Sequence, residues 1–267
     1  MKALVLDFDG VIADSSREAF VVALRAYVAL RPGSPLAGAF ADLEAALAGG
    51  GPAVERQGLY PGFMALMPLG NRAEDFGASL EALALRLELD DQGAYDEFFA
   101  GLDRDWLLAF HRRFYVERAR FAATDGALWR SLQPPYREVG ELLLRRQGEL
   151  AFALATAKDR ASVEVLLAEY SLASVFAPEL ILDKETGVTK VAHLEHLRRL
   201  LGVAFSDMTF VDDKVRHLDA VASLGVRCVL AGWGYNGERE RRTARERGYT
   251  VAALADLDEQ LFPGPLV

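Results

Sequence analysis

The N-terminal stretch KALVLDFDG restricts the fold of this chain more than any other feature. An apolar run, residues 3–6, ends at two aspartates separated by one residue, Asp7 and Asp9, with Gly10 after them. A short apolar run bounded by a turn signal is typical of a buried parallel strand, which is apolar on both faces. Ligands of open α/β sheets bind at the carboxyl ends of the strands. The pattern therefore predicts two carboxylates at a ligand-binding edge of the sheet. The alternative is that residues 7–10, DFDG, form an ordinary turn after the strand, since Asp-Gly is a common turn sequence.

Composition excludes several classes of protein. The chain has 267 residues, of which 51% are hydrophobic and 26% charged, as in ordinary globular domains. A net charge of -9 argues against sequence-independent binding to nucleic acid or to an anionic membrane, because both need clustered Lys and Arg. We find no apolar stretch near the ~18 residues of a membrane span and no signal peptide. The single cysteine, Cys228, lies in an apolar run and is expected in the core. These features predict a cytoplasmic protein.

Residues 14–134 have the hydrophobic spacing of helices. Helices are predicted from about residue 14 to residue 31 and over residues 36–48, 74–89 and 103–122. The segments GGGP at 49–52, YPG at 60–62 and Asp125-Gly126 are interpreted as breaks between helices. Consecutive prolines, Pro134 and Pro135, end the region. The pattern predicts a separate helical domain inserted after the first strand.

The remainder of the chain alternates between strands and helices. Strands are predicted over residues 150–155, 180–182, 208–211 and 226–230 and near residue 250, and helices over residues 136–146, 161–170, 191–201, 218–224 and 238–247. Strands that are separated by helices imply right-handed crossovers and a parallel sheet. We therefore expect an α/β core made of residues 1–13 and 135–267.

Two further strand ends of this core carry groups suited to a phosphate. Thr156 and Ala157 follow the strand 150–155, where a hydroxyl and backbone N–H groups precede a helix N-terminus; an ordinary helix cap would also explain Thr156. Lys190 begins a helix, and a lysine there opposes the helix dipole unless it faces an anion. Lys158 and Lys184 compete for the same role, and each is equally explained as a solvated loop lysine.

A second pair of carboxylates, Asp212 and Asp213, follows the strand 208–211. Adjacent acids at a strand end are costly without a cation. Together with Asp7 and Asp9, this pair would make an oxygen cage for one Mg2+ ion.

The order of these residues along the chain resembles the haloacid dehalogenase superfamily. Asp7 to Val11 is similar to its first motif, Thr156 to its second, Lys190 to its third and Asp212-Asp213 to its fourth. The resemblance covers essentially the whole chain and implies a Rossmann-like core with a helical, C1-type cap inserted after the first motif.

The chain departs from the family pattern at three places. Val211 stands where glycine often precedes the aspartate of the fourth motif, and Val191 stands where proline often follows the lysine. The family often has an acid four or five residues beyond the fourth-motif aspartate, and here those positions are Arg216 and His217. The departures leave the division of roles between the two acids of the fourth motif open.

The resemblance implies a Mg2+-dependent phosphomonoester hydrolase that acts on a small phosphorylated metabolite. Asp7 would be the nucleophile that forms an aspartyl phosphate, and Asp9 the general acid and then the general base. Thr156, Ala157 and Lys190 would bind the phosphate. The metal ligands implied are Asp7, the Asp9 carbonyl and Asp212, with Asp213 bound directly or through water.

Other reactions of the superfamily fit the sequence less well. Dehalogenases lack an acid at the position of Asp9, phosphonatases need a lysine in the cap, and sugar-phosphate mutases carry a histidine where this chain has Ala19. All five lysines lie outside residues 14–134. A protein that binds a phosphorylated ligand or a partner without turning it over remains an alternative.

Substrate choice is expected to lie in the cap. Asn71 and Arg72 belong to its most unusual segment, residues 67–76, and could contact a polar substrate; a helix start capped by Asn71 is the alternative. The sequence predicts no oligomeric state.

Overall fold

The chain divides into two compact units. A computed structural model describes residues 1–49, 54–70, 72–183, 185–187 and 189–262. One unit comprises Met1–Asp14 and Pro134–Val267, and the other comprises Ser15–Gln133. Each junction lies one residue inside the range 14–134 that the sequence predicts for the inserted domain.

The strands and helices alternate only outside the inserted unit. In the described residues, strand β1, Ala3–Leu6, is followed by the helices α1 Ser16–Leu30, α2 Ala37–Ala48, α3 Tyr60–Leu66, α4 Ala73–Ala84, α5 Gln92–Ala100, α6 Arg104–Thr124 and α7 Gly126–Ser131. The chain then continues through α8 Arg137–Arg145, β2 Ala151–Ala155, α9 Arg160–Glu169, β3 Ile181–Leu182, α10 Lys190–Leu201, β4 Met208–Asp212, α11 Val215–Ala222, β5 Arg227–Ala231, α12 Glu238–Glu246, β6 Thr250–Ala252 and α13 Leu257–Leu261.

The six strands of the described part of the chain form one parallel sheet in the order β3-β2-β1-β4-β5-β6. This confirms the predicted α/β class with a Rossmann-like core. Strand β1 pairs with β2 on one side and with β4 on the other, so that Leu6 lies opposite both Leu154 and Val211. The order along the chain reverses across β1 and β4, and ligands of such sheets bind at this switch point.

The strand residues are apolar because both faces of the sheet are covered by helices. Ala3, Leu4 and Val5 of β1 are completely buried. One side of the sheet packs against α10 and α11 through Leu194, Leu197 and Leu218, together with Phe210 of β4 and Cys228 of β5. None of the helices in the described part of the chain combines the length and the hydrophobicity that a membrane span requires.

Two sequence signals that were interpreted as breaks begin helices in the inserted unit. The YPG segment begins α3. Proline is tolerated in the first turn because the backbone N–H groups there make no intrahelical hydrogen bond, so the N–H that proline lacks is not missed. Asp125 ends α6 but also caps α7, where its carboxylate accepts the N–H of Leu128 at 3.2 Å. The predicted helix 74–89 was too long, since α4 ends at Ala84 and Arg86 adopts a positive φ of 56°.

Helices α3, α5, α7 and α13 were all missed. They contain from five to nine residues, and such short segments give weak periodicity. Most of the GGGP segment lies outside the described residues.

A buried ion pair ties α1 to α6 within the inserted unit. Glu18 is completely buried, and its two carboxylate oxygens accept hydrogen bonds from Arg118 Nε and Nη2, each at 2.8 Å. The indole N–H of Trp129 donates to the same carboxylate at 3.2 Å. A buried charge is tolerated only when it is paired and hydrogen-bonded in this way.

We predict that Glu18→Ala lowers the free energy of unfolding by about 3–5 kcal/mol, because Arg118 loses its buried carboxylate partner. The measurement is equilibrium unfolding in urea. Glu44→Ala is the matched control, since Glu44 forms the same two-pronged pair with Arg25 but is 38% exposed; its cost should stay below about 1 kcal/mol. Equal losses in the two variants would contradict the account.

The thiol of Cys228 should be inert in the folded protein. Burial raises the pKa of Cys228 to about 11, so that on the order of 0.1% is thiolate at pH 8. Labelling by an aromatic disulfide reagent at pH 8 should be slow in buffer and fast in urea, where the thiol regains its ordinary pKa. Equal rates under the two conditions would mean that the side chain is accessible.

Candidate active site

Asp7 lies at the carboxyl end of β1, as its position in the sequence predicts. Its backbone N–H continues the sheet by donating to the carbonyl of Val211 at 2.9 Å. The Asp7 carboxylate accepts the N–H of Phe8 on Oδ1 at 2.8 Å, and its Oδ2 lies 3.0 Å from the ammonium group of Lys190. The residue is 5% exposed. Asp7 therefore presents an anchored, nearly buried carboxylate at the switch point of the sheet.

Lys190 links the ends of three neighbouring strands. Its Nζ lies 3.0 Å from Asp7 Oδ2 and 3.1 Å from Asp212 Oδ2, and donates to the carbonyl of Ala155 at 2.6 Å. Burial disfavours the ammonium ion, but the charges of Asp212 and Asp7 outweigh burial and raise the pKa of Lys190. The lysine occupies the first position of α10 because Thr189 caps that helix through the N–H of Ala192.

Asp212 is the best-compensated acid of the site. Burial alone would raise the pKa of its carboxyl, but His217 and Lys190 hold that pKa well below the usual range. Asp212 Oδ1 also accepts the N–H of Lys214 at 2.9 Å. His217 Nδ1 lies 2.9 Å from Asp212 Oδ1 and 3.1 Å from Oδ2. The carboxylate therefore stays charged in the folded protein.

Asp213 has a different environment from its neighbour. Its Oδ2 accepts the N–H of Tyr235 at 2.9 Å and lies 3.8 Å from Lys214 Nζ, whereas its Oδ1 has no hydrogen-bond partner among the described residues. Burial, opposed by Lys214 and reinforced by Asp212 and Asp7, raises the pKa of Asp213 to about 7. The site thus contains a completely buried acid whose ion-pair partner, Lys214, is 3.8 Å away.

Gly10 allows Asp213 to pack against the first motif. The glycine has a φ of 80°, in the left-handed region, and a Cβ at this position would lie 2.8 Å from Asp213 Oδ2. A larger residue at position 10 would therefore be strained and would also displace the carboxylate.

Asp9 pairs with Lys158. Lys158 is buried, and its Nζ lies 2.9 Å from Asp9 Oδ1. Lys158 was one of two competitors for the role of Lys190; the other, Lys184, lies outside the described residues. The structure places Lys158 in the site but beside a different acid.

Thr156 and Ala157 follow β2 as predicted. Thr156 is 1% exposed; its N–H donates to the carbonyl of Leu182 at 2.9 Å, and its Oγ1 accepts the N–H of Lys158 at 3.1 Å. Ala157 is exposed. The cap of α9 is Asp159, which accepts the N–H of Ser162 at 2.9 Å, so the alternative explanation of Thr156 as that cap is excluded.

The two residues suggested for substrate binding are less informative. Arg72 is exposed and forms the N-cap position of α4, where its backbone N–H donates to Asp75 at 2.9 Å. Asn71, which the sequence suggested as the cap, lies outside the described residues.

A divalent cation fits these residues. Asp7, Asp212 and His217 each place one ligand atom within 4.8 Å of the others. Two donors about 2.1 Å from one ion lie about 3.0 Å apart when adjacent and about 4.2 Å apart when opposite. The 2.9 Å between His217 Nδ1 and Asp212 Oδ1 matches the adjacent spacing, and the 4.8 Å limit of the group lies slightly above the opposite spacing. Asp213, whose Oδ1 has no hydrogen-bond partner among the described residues, directly follows Asp212 in the chain. The carboxylates of Asp9 and Asp213 are not members of this close group of side chains, and the Asp9 carbonyl stays a prediction.

Sequence reasoning passed over two residues of the site. In the sequence, His217 was noted only because it stands where the family often has an acid. Its position in the first turn of the helix after β4 was the available signal that its imidazole lies near the acids at the end of that strand. Lys158 was considered only as a rival of Lys190. Its place two residues after Thr156 was the available signal, because both follow the same strand end.

The parallel sheet, its switch point and the carboxylate–lysine cluster define an α/β protein with a buried charged site at the carboxyl edge of its sheet. The model of the family described as haloacid dehalogenase-like hydrolase matches residues 1–225. The chain belongs to this family, and the resemblance expected from its motifs is confirmed.

Individual relatives agree with this assignment. Human magnesium-dependent phosphatase 1 is 32% identical over 103 residues, which are 38% of this chain and 56% of that protein. The match thus spans little more than half of the length of this curated relative.

Solved structures with the same fold cover almost the whole chain. A predicted phosphoglycolate phosphatase from Haemophilus somnus superposes with a TM-score of 0.62 at 18% identity over 96% of both chains. A haloacid dehalogenase-like family protein from Streptococcus pneumoniae superposes with a TM-score of 0.60 at 13% identity, also over 96% of both. At these identities the likeness concerns the fold.

We predict that Mg2+ raises the melting temperature of the metal-free protein and that Asp212→Asn removes this increase. Binding to the folded state alone stabilises a protein by about 2.7 kcal/mol when the ligand is at 100 times its Kd. Each variant is compared with itself, in EDTA and in excess Mg2+, so that its own stability cancels.

Asp207→Asn is the control, since Asp207 pairs with Lys2 beyond the opposite end of the sheet. It should respond to Mg2+ as the unmodified chain does. An undiminished increase in Asp212→Asn would contradict the assignment.

Proposed function

We propose that the protein is a Mg2+-dependent phosphomonoester hydrolase that acts on a small phosphorylated substrate through an aspartyl phosphate. The observation that carries the proposal is the contact of one buried ammonium group with the carboxylates of Asp7 and Asp212, 3.0 and 3.1 Å away. Phosphoryl transfer depends mainly on positioning and on neutralising spread negative charge. A nucleophilic carboxylate beside a fixed cation meets both requirements.

In the first half of the reaction, Asp7 attacks phosphorus. A bond forms between a carboxylate oxygen and phosphorus while the bond from phosphorus to the ester oxygen breaks. Asp9 gives its proton to the departing alcohol. Lys190 offsets charge on the transferred group, and backbone N–H groups near Thr156 and Ala157 bind its oxygens.

In the second half, water attacks the phosphorus of the aspartyl phosphate. Asp9, now a carboxylate, takes a proton from that water, and the bond between phosphorus and Asp7 breaks to release phosphate. The ammonium group of Lys158, 2.9 Å away, stabilises the carboxylate that Asp9 becomes when it gives up its proton in the first half. The two roles of Asp9 follow one another, so the residue returns to its starting state.

The cation would be held by Asp7, the Asp9 carbonyl and Asp212, with Asp213 bound directly or through water. When bound, it supplies positive charge that neutralises the phosphate and lowers the repulsion between Asp7 and the incoming anion. The name of the human relative, a magnesium-dependent phosphatase, supports Mg2+ for this role.

The inserted unit, residues 15–133, is proposed to serve as the cap that selects the substrate. Lids of this kind exclude water and complete a site after the substrate has bound. Asn71 and Arg72 are the candidates for contacts with a polar substrate.

We predict that Asp7→Asn lowers the Mg2+-dependent release of phosphate from p-nitrophenyl phosphate by more than about 1,000-fold, since the amide is not a nucleophile. Phosphate is measured by a colorimetric assay, and circular dichroism confirms folding. Asp207→Asn, with the same chemical change at a surface ion pair, should keep full activity.

Substantial activity in Asp7→Asn would contradict the role of Asp7 as nucleophile. Binding of phosphate esters by the unmodified protein without any release, across a panel of phosphorylated metabolites, would favour a binding function instead.

A further inference from the structure

His217 occupies a position from which it can bind the same cation as the two carboxylates. It lies in the first turn of α11, and Asp212 is the last residue of β4. The ring nitrogen Nδ1 faces both oxygens of Asp212, at 2.9 and 3.1 Å. These separations equal, within about 0.1 Å, the distance between adjacent donors of an ion bound at about 2.1 Å.

A purely structural role for the imidazole explains less of the site. Asp212 already accepts the N–H of Lys214 and lies 3.1 Å from Lys190 Nζ, so it has a hydrogen bond and an opposite charge without the histidine. The His217 side chain is 18% exposed and Asp212 is completely buried. The imidazole is therefore partly accessible to solvent, whereas the carboxylate that it contacts is not.

Asp213 supplies an independent indication that positive charge is missing here. It is completely buried, its Oδ1 has no hydrogen-bond partner in the described part of the chain, and it lies directly after Asp212. The nearest ammonium group that the structure assigns to it, Lys214 Nζ, is 3.8 Å away. A divalent ion next to Asp212 would offset this charge.

The identity of the third donor determines which ion the site prefers. Carboxylates, carbonyls and water suit Mg2+, whereas an imidazole nitrogen suits first-row transition metals, whose affinity rises from Mn2+ to Cu2+. An acid at this position would keep the site all-oxygen. His217 adds one nitrogen to the two carboxylates of Asp7 and Asp212.

We propose that His217 is a direct ligand of the divalent cation, and that it makes the site selective for Mn2+ and related transition metals over Mg2+. This inference rests on the proposed function in one respect, because it concerns the same cation site. Removal of the nitrogen should weaken Mn2+ binding by more than about 100-fold, since residues that only orient metal ligands already cost about 10- to 100-fold. Mg2+ affinity should change less, so the ratio of the two affinities should fall.

The test uses the full-length, metal-free protein with Mn2+ alone. Electron paramagnetic resonance of free Mn2+ gives the affinity, and pulsed measurements of the bound ion detect coupling to a 14N nucleus. We expect 14N coupling in the unmodified protein and its loss in His217→Asp, which keeps a donor oxygen, and in His217→Ala. His196→Ala is the control, because His196 is exposed on α10; it should keep the coupling and the affinity.

The outcomes separate this inference from the proposed function. Binding of Mn2+ without 14N coupling, or coupling that survives in His217→Asp, would overturn the role of His217 and leave the phosphatase proposal standing. Failure of the unmodified protein to bind either Mn2+ or Mg2+ would overturn both. Should His217→Ala not fold, His217→Asp and the spectrum of the unmodified protein decide the question.

Discussion

The Lys190 ammonium group stabilises a pair of buried carboxylates that would otherwise repel each other. Asp7 and Asp212 follow adjacent strands whose register places Leu6 opposite Val211, so the sheet itself brings the two acids together. Removing one partner from a buried ion pair costs several kcal/mol, because the remaining charge is left uncompensated. The start of α10 is fixed by its Thr189 cap, and this places the lysine where both acids are within reach.

Positive charge is distributed unequally over the four acids of the site. Lys190 contacts Asp7 and Asp212, Lys158 contacts Asp9, and Lys214 lies at 3.8 Å from Asp213. Burial raises the pKa of Asp7, and Lys190 opposes that shift. Burial raises the pKa of Asp213 to about 7, and Lys214 only partly opposes this shift. The arrangement favours a nucleophile that is held in place and a site whose charge is balanced when a divalent cation joins it.

Much of this could be predicted from the sequence, because buried parallel strands and the polar residues that follow them leave a clear pattern. The strand before Asp7 and the helix that begins at Lys190 could both be predicted, since the conformation of each depends on a few neighbouring residues. The contact of Lys158 with Asp9 could not be predicted, because it joins residues 149 positions apart. It depends on the conformation of the backbone after the two strands. The position of His217 likewise required the first turn of α11 to be oriented toward Asp212. Short helices such as α5 escaped because nine residues give too few periods to distinguish a helix from a loop.

The central claim is that a carboxylate oxygen of Asp7 carries the phosphoryl group during turnover. Rapid acid quenching of the reaction with an aryl phosphate, followed by borohydride reduction and peptide mass spectrometry, converts an aspartyl phosphate into homoserine at its own position. The account predicts homoserine at position 7 during turnover and none when substrate is omitted. Phosphate release with no reduced residue, or with homoserine at another aspartate, would contradict it.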